Sequence, residues 1–257
     1  MSASIFDYPE VYDAILCHSD DVVKAEVATI VDLFERHGMT LGRVLDLACG
    51  TGVHAVELAQ KGIEVVGLDA SVAMVEASQR RAKRCDVELK VVEGDVVDFD
   101  VGGDFDAAIF MSETFPIIHR YQDLVSHFAS VRRALRPKGL YIVDVDAHRH
   151  GGGGIGYKRW GDKTVQVGDQ QVDIWHESFP GNWVEGTGRL VMHTRITDGD
   201  KTITTRDDWT LRKDAPWHLD LLVRTLAGWS LSGFCSWRDA SGDIADEDHY
   251  FMVLQSV

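Results

Sequence analysis

The stretch Val44-Leu45-Asp46-Leu47-Ala48-Cys49-Gly50-Thr51-Gly52-Val53-His54-Ala55 constrains the chain more than any other. A short apolar run ends in a glycine-spaced turn, and a helical pattern through Val53, Val56 and Leu58 follows at once. Glycine lets backbone approach a ligand closely, so strand, turn and helix together open a nucleotide-type binding site. A second apolar run, 63–68, ends at Asp69, seventeen residues beyond Gly52. Such folds set a carboxylate there against ribose hydroxyls.

Gly50-x-Gly52-x-x-Ala55 also satisfies the dinucleotide fingerprint, which keeps an NAD(P)-dependent or flavin oxidoreductase open. That reading needs a pyrophosphate at the helix N-terminus, drawn by free N–H groups and the helix dipole. Asp46 opposes it, because a carboxylate beside a phosphate costs roughly 1 kcal/mol in water and more when desolvated. A ligand with an ammonium group and no phosphate suits the turn better. S-adenosylmethionine has that character.

Asp46-x-Ala48-x-Gly50-x-Gly52 resembles the first motif of class I S-adenosylmethionine-dependent methyltransferases. Asp69-Ala70-Ser71 with Met74 resembles the second, and Glu93-Gly94-Asp95-Val96 the third, whose acid meets the adenine amino group. The resemblance implies a cofactor site of Asp46, Ala48, Gly50, Gly52, Asp69, Ala70, Met74, Asp95, Val96 and Met111. It also implies S-adenosylhomocysteine as product. Tyr12-Asp13 resembles an N-terminal element that folds over the cofactor in small-molecule methyltransferases, so Tyr12 is expected at its methionine end. The alternative is that Tyr8 and Tyr12 simply pack a leading helix.

Downstream of Gly42 the chain alternates strand and helix, as in a doubly wound parallel sheet. Strands are expected near 43–47, 63–68, 87–92, 105–111 and 140–146, with helices near 52–61, 71–84 and 120–136. Ahead of them, Ser19 is expected to cap a helix over 20–37. Between 155 and 215, apolar and polar residues alternate between Gly168-Asp169, Pro180-Gly181-Asn182 and Asp198-Gly199-Asp200. These read as antiparallel hairpins. A helix over 216–227 and strands over 231–237 and 249–257 follow. The expected fold is a Rossmann-like α/β domain with a seven-stranded sheet, whose order 3-2-1-4-5-7-6 is implied by the resemblance. The domain spans 1–257, with a helical cap at 1–40 and an inserted antiparallel lobe at 150–215.

Ligands in open α/β sheets bind beyond the carboxyl ends of the strands. Met111-Ser112-Glu113-Thr114 follows the fourth strand, and Asp144, Asp146, His148 and His150 follow the fifth. Glu113 and His119 are the candidates to orient a nucleophile or take its proton, and Glu113, His148 and Trp160 to meet the acceptor. Trp160, Trp175, Trp183 and Trp209 could line an acceptor pocket, form the face of a homodimer, or pack one side of a small sheet. Gly151 to Gly154 lack a following Lys-Ser/Thr and read as a connector rather than a phosphate loop.

Composition narrows the rest. A net charge of −15 removes the electrostatic basis for nucleic-acid partners. Cys17, Cys49, Cys85 and Cys235 form no C-x-x-C pair, and His148 and His150 have no third ligand fixed by spacing, so no metal is expected. No run of about 18 apolar residues marks a membrane span. Residues 1–5 lack a basic region ahead of an apolar stretch, so the expectation is a cytoplasmic protein without a membrane partner. The leading function is methyl transfer to a small molecule, an amine or a hydroxyl, by in-line displacement. Positioning supplies most of the rate, up to ~7–11 kcal/mol. The whole pattern is similar to small-molecule N-methyltransferases of the amino-sugar type. An oxidoreductase and a non-catalytic S-adenosylmethionine-binding protein are the rivals.

Overall fold

The structure, a computed structural model, describes residues 3–17, 19–146, 157–182, 185–213, 216–241, 244 and 249–257. Two helices lead: α1 (Pro9–Ile15) and α2 (Asp20–Arg36). The alternating segment follows as β1 (Arg43–Leu47), α3 (Val53–Gln60), β2 (Glu64–Asp69), α4 (Val72–Arg84), β3 (Lys90–Glu93), β4 (Phe105–Phe110), α5 (Tyr121–Ala134) and β5 (Leu135–Asp146). Four long strands come next: β6 (Lys158–Val167), β7 (Gln170–Asn182), β8 (Thr187–Asp198) and β9 (Lys201–Arg212). The chain closes with α6 (Pro216–Thr225), β10 (Trp229–Ser236) and β11 (His249–Ser256).

The main sheet has the order β10-β11-β5-β4-β1-β2-β3, with β11 antiparallel to both of its neighbours. This matches the expected order, the last two strands closing as a hairpin. Neighbouring residues of β1 enter opposite cores: Leu45 and Leu47 pack on one face of the sheet, Val44 on the other. A sheet covered on both faces needs such near-continuous apolar strands. The second sheet, β6-β7-β8-β9, is wholly antiparallel. One of its faces packs Val172, Ile174, Met192 and Ile196 against Ile5 and Val11 of the N-terminal segment.

Three local expectations change. Pro180-Gly181 is not a turn; β7 runs through to Asn182, and its register with β8 shifts between Phe179 and Asn182. A bulge is where a strand tolerates proline, which cannot donate to the ladder. Helix α5 ends at Ala134 and β5 begins at Leu135, with an irregularity in its pairing to β4 before Leu140. Lys138, at φ +68°, lies in that segment. Ser19 occupies the N-cap of α2, but its side chain makes no capping hydrogen bond.

Candidate functional site

The turn after β1 is built on left-handed backbone: Ala48, Gly50 and Gly52 have φ of +51°, +55° and +79°. Gly52 opens α3, and a Cβ there would lie 2.2 Å from Ser78 Oγ, so the turn packs directly on α4. Asp69 locks the turn to β2. Its Oδ2 accepts the Gly50 N–H at 2.8 Å and its Oδ1 the Ser71 N–H at 2.9 Å. Burial raises its pKa against the pull of those backbone donors.

Asp46 lies beneath the turn, 2% exposed, and its Oδ2 has no hydrogen-bond partner among the described residues. Burial lifts its pKa to about 7, with His54 pulling the other way and Asp69 adding to the rise. Tyr12 lies over the turn, its Cε1 and hydroxyl 3.8 Å from where a Gly50 Cβ would stand. Its neighbour Asp13 accepts from the Thr51 hydroxyl and the Arg81 guanidinium, and Arg81 Nε donates to the Thr51 carbonyl at 2.9 Å. Helix α1 is therefore bolted to the glycine turn. Burial also pushes the Tyr12 hydroxyl pKa well above its ordinary value, with Cys17 and Asp69 adding to it.

The other motif residues divide by exposure. Ala70 and Asp95 are exposed, while Met74, Val96 and Met111 are buried at 0%, 8% and 3%. Met74 thus presents no side-chain surface to a ligand in this structure. Asp95 closes a turn by accepting the Val97 N–H at 2.8 Å. The Val96 carbonyl accepts from His127 Nδ1 at 2.7 Å, and burial pushes the His127 pKa down to about 4.

Beyond β4, Ser112 and Glu113 both adopt positive φ, +59° and +55°. Such backbone costs on the order of 1–3 kcal/mol per residue and persists only where its surroundings hold it. The Glu113 N–H donates to Asp144 Oδ2 at 3.1 Å. His119 is held elsewhere: its Nδ1 lies 3.1 Å from the Ile117 carbonyl, and Arg212 of β9 donates to the adjoining Ile118 carbonyl at 2.5 Å. Trp160 stacks on His176 of β7 at 4.5 Å. His148, His150, the glycine run 151–154 and Trp183 lie outside the described residues.

A group that motif reading missed joins this edge of the sheet. His249, the first residue of β11, bonds through Nε2 to Asp144 Oδ1. Glu26 of α2 bonds to His54 of α3 at 2.7 Å. Donor atoms of Glu26, Asp144 and His249 all lie within 4.8 Å of one another. One signal was available: Glu26 shares the buried stripe of α2 with Val23, Val27 and Ile30, where an isolated charge has no place. No spacing announced His249.

This arrangement fits a cationic, phosphate-free nucleoside. The orphaned Asp46 Oδ2 under the turn favours positive charge, and Asp69 at the end of β2 holds the turn beside it. Comparison with known proteins decides the family. Residues 44–139 match the model of a methyltransferase domain. The chain belongs to the S-adenosylmethionine-dependent methyltransferases. It is similar to a putative methyltransferase, YqeM, of Bacillus subtilis (strain 168), 30% identical over 68% of this chain and 66% of that protein. It is also similar to the dTDP-4-amino-2,3,4,6-tetradeoxy-D-glucose N,N-dimethyltransferase of Saccharopolyspora spinosa, 30% identical over 54% of each. A solved S-adenosylmethionine-dependent methyltransferase from Clostridium acetobutylicum ATCC 824 shares the fold, with a TM-score of 0.78 at 14% identity over 96% of each chain. The methyltransferase spans between about half and two thirds of the length of these curated relatives.

Proposed function

We propose that the methyltransferase transfers the methyl group of S-adenosylmethionine to a small-molecule amine. The cofactor's adenosine would run from Asp69 to Asp95 and its amino-acid end over the glycine turn toward Tyr12. The sulfonium supplies a ready leaving group, so the protein's work is to hold nitrogen, methyl carbon and sulfur in line. Helix α1 and the β6–β9 sheet act in this reading as the cap and lobe that enclose the acceptor in a cytoplasmic enzyme.

The observation that carries an amine acceptor is the acidic character of the carboxyl edge. Glu113 and Asp144 are buried at 7% and 0% beside the ends of β4 and β5, with Glu26 behind them. Carboxylates there attract an ammonium. The aminodeoxysugar in the name of the Saccharopolyspora relative carries such an amine. The test is transfer of radiolabelled methyl to a panel of glycine, sarcosine, dTDP-amino sugars, phenols and sugar alcohols. Label on an amine is expected. Label confined to oxygen acceptors rejects the amine reading, and binding of S-adenosylhomocysteine with no transfer to any acceptor favours a non-catalytic binder.

A further inference from the structure

Four stretches far apart in the chain deliver titratable groups to the carboxyl edge of the main sheet: Glu26, Glu113, Asp144 and His249. Asp144 is fully buried and commits one oxygen to the Glu113 N–H and the other to His249 Nε2. The imidazole is fixed on its flat side as well, stacked on Trp237 at 5.3 Å and 27°. Among the four, the side chain of His249 is the most accessible, 19% against 0% for Asp144.

From this geometry we infer that His249, oriented by Asp144, is the group that takes the proton of the acceptor amine before methyl transfer. The inference rests on the amine reading above. An amine arriving as R–NH3+ gives one proton to the imidazole, leaving R–NH2 and an imidazolium paired with Asp144. The freed nitrogen lone pair forms the bond to the methyl carbon, the C–S bond breaks, and its electron pair stays on sulfur. The products are R–NH2+–CH3 and S-adenosylhomocysteine, so charge and atoms balance.

The surroundings suit the charged imidazole. Burial disfavours it, but the hydrogen bond and charge of Asp144, with Glu113 and Glu26 near by, overcome this and hold the pKa above the ordinary histidine value. The facing groups are Asp144 from β5, Glu113 from the turn after β4, and Glu26 from α2 with His54 of α3 bonded to it. The same donors could be read as a metal site. Here Asp144 and His249 are bonded to each other and Glu26 to His54, which is the pattern of proton-sharing pairs.

The test uses the full chain, labelled S-adenosylmethionine and whichever panel acceptor turns over fastest. His249→Gln should lose ~10²–10⁴ in kcat while S-adenosylhomocysteine affinity and Tm stay at the parent values. Asp144→Asn should move the acid limb of the kcat/KM profile to lower pH, because the imidazole then sheds its proton more easily. Added imidazole should restore part of the rate of His249→Ala. Unchanged kcat in His249→Gln, an acid limb that Asp144→Asn does not move, or activity abolished by a chelator and restored by a divalent cation would each overturn the inference. Should these variants not fold, ¹³C-imidazole titration of the parent with S-adenosylhomocysteine decides, and an imidazole of His249 that takes up no proton anywhere between about pH 5 and 9 refutes it. If only a hydroxyl acceptor is labelled, the amine reading fails while the role of His249 is still scored on that acceptor. No turnover of any acceptor removes both.

Discussion

Replacing Asp46 by asparagine should make the ligand-free protein more stable at alkaline pH and a worse cofactor binder at the same time. Asp46 is 2% exposed and its pKa is lifted from 3.8 to about 7. Between those values the folded chain keeps a proton that the unfolded chain has released, so the contribution of Asp46 to stability declines as pH rises through that window. Above pH 7 the whole cost is present; the rise in pKa converts, at about 1.4 kcal/mol per pH unit, to roughly 4 kcal/mol. Asparagine removes the titration but sets an amide where Oδ2 had no partner, a pH-independent cost of ~1–3 kcal/mol. His127 acts in the opposite sense. Burial holds its pKa at about 4, so its contribution is lost as pH falls below 6.5. The parent curve is therefore a partial cancellation, and only the difference between variant and parent isolates Asp46. Urea unfolding of both proteins from pH 4 to 8, without ligand, should show that difference moving in the variant's favour with rising pH and levelling above 7. A difference that is flat with pH refutes the assignment of a buried, proton-holding acid under the turn. In the same variant, calorimetry should find S-adenosylhomocysteine bound roughly 10- to 100-fold more weakly, the worth of one charge-assisted contact.

Asp69→Ala removes the acceptor of the Gly50 and Ser71 N–H groups and the proposed partner of the ribose hydroxyls. Loss of two charge-assisted hydrogen bonds predicts affinity for S-adenosylhomocysteine lower by roughly 10² or more, read by calorimetry on a chain whose circular dichroism is unchanged; unchanged affinity takes Asp69 out of the site. Gly52→Ala should lower Tm through two separable causes, a left-handed φ of +79° and the clash with Ser78 Oγ at 2.2 Å. Adding Ser78→Ala should recover the part of the steric cost that Oγ carries, leaving about 1 kcal/mol of backbone strain and a tight 3.1 Å Cβ–Cβ contact; a double variant no more stable than the single one contradicts the close approach.

Where the candidate site is built from consecutive residues, its position was legible. The placement of the Asp46–Gly52 turn after β1, of Asp69 at the end of β2 and of Asp95 just beyond β3 could be read because a turn and strand ends are encoded locally, and apolar periodicity marked the elements of the main sheet to within a few residues. Pro180-Gly181 misled for a physical reason: the same residues that make turns also make bulges, and pairing across β7 and β8 decides between them. The cluster at the carboxyl edge was largely hidden. Glu26, Asp144 and His249 meet only because α2, β5 and β11 pack side by side, and no spacing in the chain records that meeting.

The glycine turn holds either an S-adenosyl ligand or a dinucleotide. Titration of the ligand-free protein with S-adenosylhomocysteine and, separately, with NAD in one calorimeter asks this directly. Saturable binding of S-adenosylhomocysteine, weakened roughly 10²-fold or more by Asp69→Ala, with no heat from NAD, is the predicted result. Saturable binding of NAD with none of S-adenosylhomocysteine would contradict it.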